Sequence, residues 1–382
     1  MIKNYLLAPG PTPVPPRVQL AMAAPIIHHR TPQFSAIFAE AKEGLKQLFQ
    51  TKEDVLILAA SGTGAMESAV TNLFSPGEEV LTINGGKFGE RWTKLAARFG
   101  LKPIEYTVEW GKAADPAEVE RLLQQHPGIR AVFTQASETS TTAVHPVREI
   151  AAITRKRDVL SIVDGITGVG VFDLPMDDWG IDVLITGSQK AVMLPPGLAF
   201  LALSPRAWER TKSAKIPRFY FDLAKERENL AKNTTAWTPA ISLVVGLREV
   251  IAMMNEEGLP QVFRRHQRMA EATRAAAAAL GLELVAPQCP SPGITGIYFP
   301  ADIEGGKAVG YLRDRMGVTF AGGQDQLKGK IVRIAHMGYM GVFDVITAIS
   351  AFEMALRRFG HATKLGAGVG AAEEILISAL PE

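Results

Sequence analysis

Residues 185–197 read ITGSQKAVMLPPG, and the lysine among them, Lys190, follows an apolar run and precedes two prolines. A strand should end there. A lysine at a strand end can be desolvated, its pKa lowered and its amine made a nucleophile toward an aldehyde. Asp164 lies 26 positions earlier (190 − 164) and closes the apolar run in VLSIVDGITGVG. A carboxylate in that position is costly unless it meets a cation; a protonated ring nitrogen would serve. Further upstream, LAASGTGAMESAV runs a strand through Ser61, Gly62, Thr63, Gly64 and Ala65 into a helix. Glycines permit the tight turn, and the first helical amides lack partners. Together with the helix dipole and the Thr63 hydroxyl they make an anion site suited to phosphate. The turn is neither a Walker loop, since no GK[ST] follows, nor a G-x-G-x-x-G.

Each feature alone has a plainer reading: a surface lysine, a turn aspartate, Gly-rich punctuation. Their order along the chain, each beside a strand end, favours one shared site. A lysine for covalent attachment, a carboxylate for a pyridinium nitrogen and a phosphate cradle form the set that pyridoxal 5′-phosphate (PLP) chemistry requires.

The elements that must position this set follow from hydrophobic patterning. Apolar strand candidates at 55–60, 79–84, 130–135, 159–164, 182–187 and 198–203 alternate with helical stretches such as FGERWTKLAARFG and VREIAAITRKR. The pattern predicts an α/β fold with a mostly parallel sheet covered on both faces, whose ligands bind beyond the carboxyl ends of the strands. Residues 1–32 are proline-rich without a helical period and read as an extended N-terminal arm, lying across a neighbouring subunit or on its own domain. Residues 33–258 read as the large domain, opening with a helix over 34–49 that places Phe34, Ile37, Phe38, Ala41, Leu45 and Leu48 at helical spacing. Residues 259–360 read as a smaller α+β domain with strands near GITGIYFP and KIVRIAHMG, and 361–382 as a disordered or loosely docked tail.

Composition narrows the function classes. The chain has 382 residues, 47% of them hydrophobic, and a net charge of +2, which gives no electrostatic case for nucleic acid or an anionic membrane. No apolar run has the length of a membrane span or a signal peptide. The single cysteine, Cys289, precludes an intrachain disulfide, so a cytoplasmic protein is expected. No metal site is expected: the seven histidines are scattered, and in the one close pair, His28 and His29, adjacent side chains should point apart.

The motifs SGTGAMES, VDGITGVG, GSQKAVMLPPG and KIVRIAHMG resemble those of the class V PLP-dependent aminotransferases, most closely the alanine–glyoxylate, serine–glyoxylate and serine–pyruvate group. The resemblance runs from the LLAPGPTPVPP arm to the final helix near Phe359. It implies PLP fold type I, with a mostly parallel seven-stranded sheet, a smaller C-terminal domain and a homodimer with shared active sites. By position, it implies that Lys190 binds the PLP aldehyde and shuttles a proton, while Asp164 pairs with the pyridine nitrogen. Ile166 and Phe88, the latter where an aromatic (often Trp) stacks, would cover the two ring faces. Thr63, Gly64, Ala65 and Gln189 would hold the phosphate, and Thr139 the ring 3-oxygen. Arg333, with Gly10, would receive the substrate carboxylate. Thr234, Thr235 or Thr238, from NTTAWTPA, would reach the neighbouring active site. His28, His29 and Arg30 read as a surface loop near the entrance, and Trp237 could shape the neighbouring pocket. The chain departs from the family where STTA replaces a Ser-Thr-Gly, losing a glycine, and where Ala65 replaces a polar residue.

The activity expected from this resemblance is transfer of an amino group from a small amino acid, alanine or serine, to the 2-oxo acid glyoxylate or pyruvate. Within the same fold, an aminoethylphosphonate transaminase or a cysteine desulfurase acting through Cys289 stays open. So does a non-catalytic accessory subunit that retains the fold.

Overall fold

The computed structural model describes residues 2–377. Tyr5–Leu6 pairs in parallel with Val318–Thr319, and Leu7 is buried in the C-terminal core. The arm then crosses Lys190 and enters α1 (Pro16–Met22), where proline suits the first helical position. The arm is thus extended only in part. Its seven-residue helix buries Val18 alone, too little for a detectable period in a proline-rich stretch. It also lies on its own chain: Arg17 forms ion pairs with Glu249 and Glu256. Next, α2 (Pro32–Phe49) starts at Thr31, whose hydroxyl accepts from the Phe34 amide at 3.4 Å, and buries the apolar face that its spacing predicts.

The large sheet is built from β1 (Val55–Leu58), β2 (Glu79–Asn84), β3 (Lys102–Thr107), β4 (Ile129–Gln135), β5 (Leu160–Asp164), β6 (Val183–Gly187) and β7 (Ala199–Leu203). Among the described residues it has seven strands in the order β1-β7-β6-β5-β4-β2-β3. From β6 to β3 the neighbours are parallel, and β7 is antiparallel to β1 and β6. Strand β3 has no counterpart in the apolar runs. It is the outer strand beside β2, mostly half-buried or exposed, and carries Pro103, which an edge tolerates because its missing N–H costs no ladder bond. Helices α3 (Gly62–Leu73) and α4 (Lys87–Arg98) follow β1 and β2.

A long pair, α5 (Ile241–Glu257) and α6 (Leu259–Ala279), turns at Gly258 with φ +82° and leads to a second core. Here β8 (Ile294–Tyr298), β9 (Ala321–Gly322) and β10 (Ile331–Ala335) form an antiparallel sheet in the order β8-β10-β9. It is covered by α7 (Val342–Arg358) and α8 (Ala367–Leu376). The expected loose tail is therefore an ordered helix up to Leu376, and residues 378–382 lie outside the described residues. Ala372 and Leu376 are buried in this core, and the amides of Gly366, Gly368 and Val369 donate to the Glu353 carboxylate at 2.7, 2.6 and 3.1 Å. A buried acid on α7 thus caps the start of α8, a tertiary contact that local composition does not reveal. No helix among the described residues is long and apolar enough to cross a membrane.

If α8 is part of the core, Leu376→Ala should cost about 2–3 kcal/mol in urea unfolding. A change under about 0.5 kcal/mol would mean that α8 is only loosely docked.

Candidate active site

Strands β5 and β6 run in parallel with Asp164 opposite Ile185, so the segments leaving both strands emerge at the carboxyl edge of the sheet. After β6 the chain folds into a tight loop fastened by Ser188. The Ser188 hydroxyl donates to the Pro195 carbonyl at 2.7 Å and accepts from the Leu198 amide at 3.2 Å, and Met193, at φ +54°, donates its amide to the Lys190 carbonyl. This loop answers why a lysine stands among small polar residues: it presents Lys190 inward. The Lys190 amine donates to the Pro9 carbonyl of the arm, and Thr12 clamps the loop through the Lys190 and Gln189 carbonyls at 2.7 and 3.1 Å. A Cβ on Gly10 would lie 2.1 Å from that amine, and Gly10 has φ +136°. Only glycine allows this approach of arm to lysine.

Burial lowers the Lys190 pKa to about 8; the charge of Arg333 adds to the drop, and Asp164 opposes it. Burial also raises Asp164 to about 6, against the pull of the Ile166 amide, which donates to Asp164 Oδ1 at 2.8 Å. The nearby Glu138 charge raises it further, while Arg91 and Lys190 lower it. Each group thus feels the other's charge, and the shifts make the amine easier to deprotonate and the carboxylate readier to hold a cation.

The start of α3 borders the same edge. A Cβ on Gly62 would meet Ile166 Cδ1 at 2.4 Å, so the Ile166 side chain lies against the first turn of the helix. A Cβ on Gly64 would meet Ala60 at 2.7 Å and Phe221 at 3.1 Å. Thr63 Oγ1 accepts from Arg91 Nη1 at 3.0 Å, which leaves its own hydrogen for another acceptor. The Gln189 carboxamide has a buried oxygen without a partner, and a Cβ on Gly187 would fill the gap between that oxygen (3.0 Å) and the Gly62 amide (3.6 Å). The Gly62 and Thr63 amides, which have no backbone partner, and the free Thr63 hydroxyl hydrogen form a cradle that suits a phosphate; the Gly64 amide is already bonded to the Ser61 carbonyl. Ala65 does not present its side chain here. It is fully buried in the core of the large domain, and its amide turns to the Ser61 carbonyl.

Arg333, on β10, is buried. Its Nη1 donates to the Thr139 carbonyl at 2.9 Å, and its Nε and Nη2 to the Gly322 carbonyl at 3.0 and 2.8 Å. Of the five guanidinium N–H groups, three are engaged and two stay available for a carboxylate. Burial lowers its pKa to about 10. Thr139 Oγ1 lies 3.0 Å from Thr167 Oγ1, which donates to the Ser137 carbonyl, so the Thr139 hydrogen is already given to Thr167. The half-buried Phe88 ring lies in the second residue of α4 with the Arg91 guanidinium 4.9 Å from its centroid. Two charged residues at this site carry no expectation from the sequence: Arg91, and the fully buried Glu138. The signal for Glu138 was a lone acid inside the buried stretch QASETSTTA.

Other candidates lie elsewhere. Thr235 turns its hydroxyl to the Trp237 carbonyl. With Thr238, Trp237, Tyr220 and Phe221 it lines a cavity that none of Lys190, Asp164 and Arg333 lines. The His28 and His29 rings, expected to point apart, approach to 4.7 Å in an exposed loop. The Cys289 thiol is half-buried against the Gly111 carbonyl and pushed up by burial, opposite to the low pKa of a reactive cysteine.

The sequence profile of the family described as Aminotransferase class-V matches residues 4–340. The chain is similar over its length to the soluble hydrogenase 42 kDa subunit of Anabaena cylindrica, with 43% identity covering 98% of each chain. It is 35% identical to the L-aspartate–glyoxylate aminotransferase of Paracoccus denitrificans, covering 97% of this chain and 96% of that one. Its fold matches the crystal structure of the ureidoglycine–glyoxylate aminotransferase of Bacillus subtilis with a TM-score of 0.94, 29% identity and 98% coverage of both. PLP is the cofactor of such enzymes; the Gly62 and Thr63 amides with the Thr63 hydroxyl fit its phosphate, and the buried Asp164 fits its ring nitrogen. The chain belongs to the class V aminotransferases.

Proposed function

We propose that the protein moves the amino group of a small amino acid, alanine or serine, to glyoxylate or pyruvate. The two substrates would alternate in a ping-pong scheme. The observation that carries this reading is the buried pair of amine and carboxylate at the ends of adjacent parallel strands, beside an anion cradle. Glyoxylate as acceptor draws support from the names of the Paracoccus denitrificans and Bacillus subtilis proteins. PLP supplies an electrophilic aldehyde and, when its ring nitrogen is protonated, an electron-withdrawing ring.

The residues of the chain do the rest. Lys190, as the neutral amine, would hold the PLP aldehyde covalently and, once freed by the amino acid, would move the substrate α-proton. Asp164 keeps the ring nitrogen protonated. Phe88 and Ile166 cover the two faces, and Thr63, Gly64 and Gln189 hold the phosphate. Gly10 lets the arm close over Lys190 beside the carboxylate site, and Arg333 receives the substrate carboxylate with its two remaining N–H groups. Thr139 would serve the ring oxygen as an acceptor, its hydrogen being taken. A cytoplasmic homodimer in which Thr234, Thr235 or Thr238 completes the partner's site goes with this reading. The environment of Cys289 speaks against a desulfurase. The name of the Anabaena cylindrica relative favours, as a second reading, an accessory subunit without catalysis; the first test below separates the two.

Purified protein with PLP should absorb in the visible and transaminate in a panel of alanine, serine, aspartate and aminoethylphosphonate against glyoxylate and pyruvate. Lys190→Ala should lose the visible band and at least about a hundredfold in rate; a variant that stays yellow and active overturns the assignment, and an inactive, colourless wild type favours the accessory reading. Arg333→Ala should lower kcat/KM for amino acids by roughly thirtyfold or more while sparing PLP binding; equal loss of both removes its assigned role.

Because Lys190 attacks as the neutral amine, the rate of PLP capture by cofactor-free protein should rise with pH and level off above about 8. Stopped-flow absorbance measures it. A rise continuing toward the ordinary lysine range near 10.5 would mean that the amine is not desolvated.

A further inference from the structure

Glu138 is fully buried, and the function just described gives it no part. Its Oε1 accepts from the Ser140 amide at 3.0 Å and the Ser140 hydroxyl at 2.6 Å, and its Oε2 from the amides of Phe88 at 3.0 Å and Gly89 at 2.9 Å. The Ser140 oxygen also accepts from the Lys87 amide at 3.0 Å, while its hydrogen goes to Glu138. All four partners are therefore donors, and a proton on either oxygen would face one of them. Burial raises this carboxyl more than the bonds from Ser140, Gly89 and Phe88 hold it down, but three of its four partners are backbone amides, which can only donate and so favour the charged form. The geometry is that of an anion.

The amides of Lys87, Phe88 and Gly89 are the first three of α4, which the helix cannot satisfy by itself. Glu138 and Ser140 satisfy all three, and the negative charge sits at the positive end of the helix dipole. A Cβ on Gly86 would lie 2.3 Å from Ser140 Oγ and 2.6 Å from Glu138 Cδ, so the approach leaves no room for a side chain there. From this anchored turn α4 projects Phe88 and Arg91. Arg91 lies over the Phe88 ring and donates to Thr63 Oγ1 at 3.0 Å, which occupies one Thr63 lone pair and leaves its hydrogen available. The residue after Glu138 contributes the carbonyl that holds Arg333.

We propose that Glu138 is the positioning residue of this site, a buried anion that fixes the start of α4 and thereby sets the Phe88 ring and the Arg91–Thr63 contact for the cofactor. The inference rests on the reading of the site as a PLP pocket. It adds a group that acts on the pocket through its four hydrogen bonds.

The test is titration of PLP into wild type, Glu138→Gln, Phe88→Ala and the double variant, followed by visible absorbance. Glutamine keeps the size, but either orientation of its carboxamide turns an NH2 group toward donors. Glu138→Gln should weaken PLP binding on the order of tenfold to a hundredfold, with KM for the amino donor at saturating PLP changing less. Because both substitutions act on the same ring, the double variant should lose less than the product of the single losses. A Glu138→Gln protein that binds PLP within about twofold of wild type, or losses that multiply in the double variant, would overturn the proposal. If Glu138→Gln does not fold, Glu138→Asp, which keeps the charge on a shorter arm, is judged by the same comparison with Phe88→Ala. Wild type that binds no PLP would instead overturn the reading of the site itself.

Discussion

Desolvation of Lys190 and Asp164 is the constraint around which the rest of the molecule is arranged. Water would stabilise both charges, and the sheet edge withholds it. The amine has fallen to about 8 and the acid has risen to about 6, so at neutral pH both are charged with little margin. A ligand that converts the amine to a covalent bond and offers the acid a cation relieves both penalties at once. Such a ligand would draw part of its binding energy from that relief, since burying a charge without a close partner is costly.

Holding two such groups in place takes segments far apart in sequence. The arm contributes Pro9, Gly10 and Thr12 to the lysine loop, then continues the C-terminal core through Leu7, whose carbonyl accepts from Ala335 at 2.9 Å. A Cβ on Gly338, just beyond β10, would approach the Lys190 carbonyl at 3.2 Å. Arg333 on that strand reaches back to Thr139. The first residues of the chain, the large sheet and the small sheet therefore meet on Lys190, and a movement of any of them moves the amine.

Local chemistry explains which of these features the sequence discloses. Strand ends, the glycine turn and the lysine loop are written in short runs of adjacent residues, and six of the seven strands follow from apolar runs that alternate with helices. Hidden were elements whose stability is tertiary. Strand β3 reads as polar because it is an edge, α1 buries a single residue, and α8 depends on Glu353 from another helix. Ala65 and Glu138 fail for the same reason. Position beside a motif suggested that Ala65 faces the site, yet its direction is set by packing on the sheet. Glu138 looked like one polar residue in a polar stretch, because the amides that need its charge lie 50 residues upstream.

The lost glycine in STTA shows how such a substitution is absorbed beside the site. Thr142 occupies the left-handed region at φ +60°, a conformation worth about 1–2 kcal/mol of strain outside glycine. The loop has kept the backbone that a glycine would adopt, and the side chain has been accommodated instead. A Cβ on Gly296 of β8 would lie 2.8 Å from Thr142 Oγ1, so a glycine in the facing strand makes the room. The Thr142 carbonyl accepts from Ser291 at 2.9 Å, fastening the loop to the small domain. That attachment lies three residues from Thr139, whose carbonyl orients Arg333. Among the described residues no carboxylate forms an ion pair with Arg333, and of the carboxylates only Glu138 acts on it through space. A substrate carboxylate would then meet a guanidinium already fixed by three hydrogen bonds, with little ordering left to oppose binding.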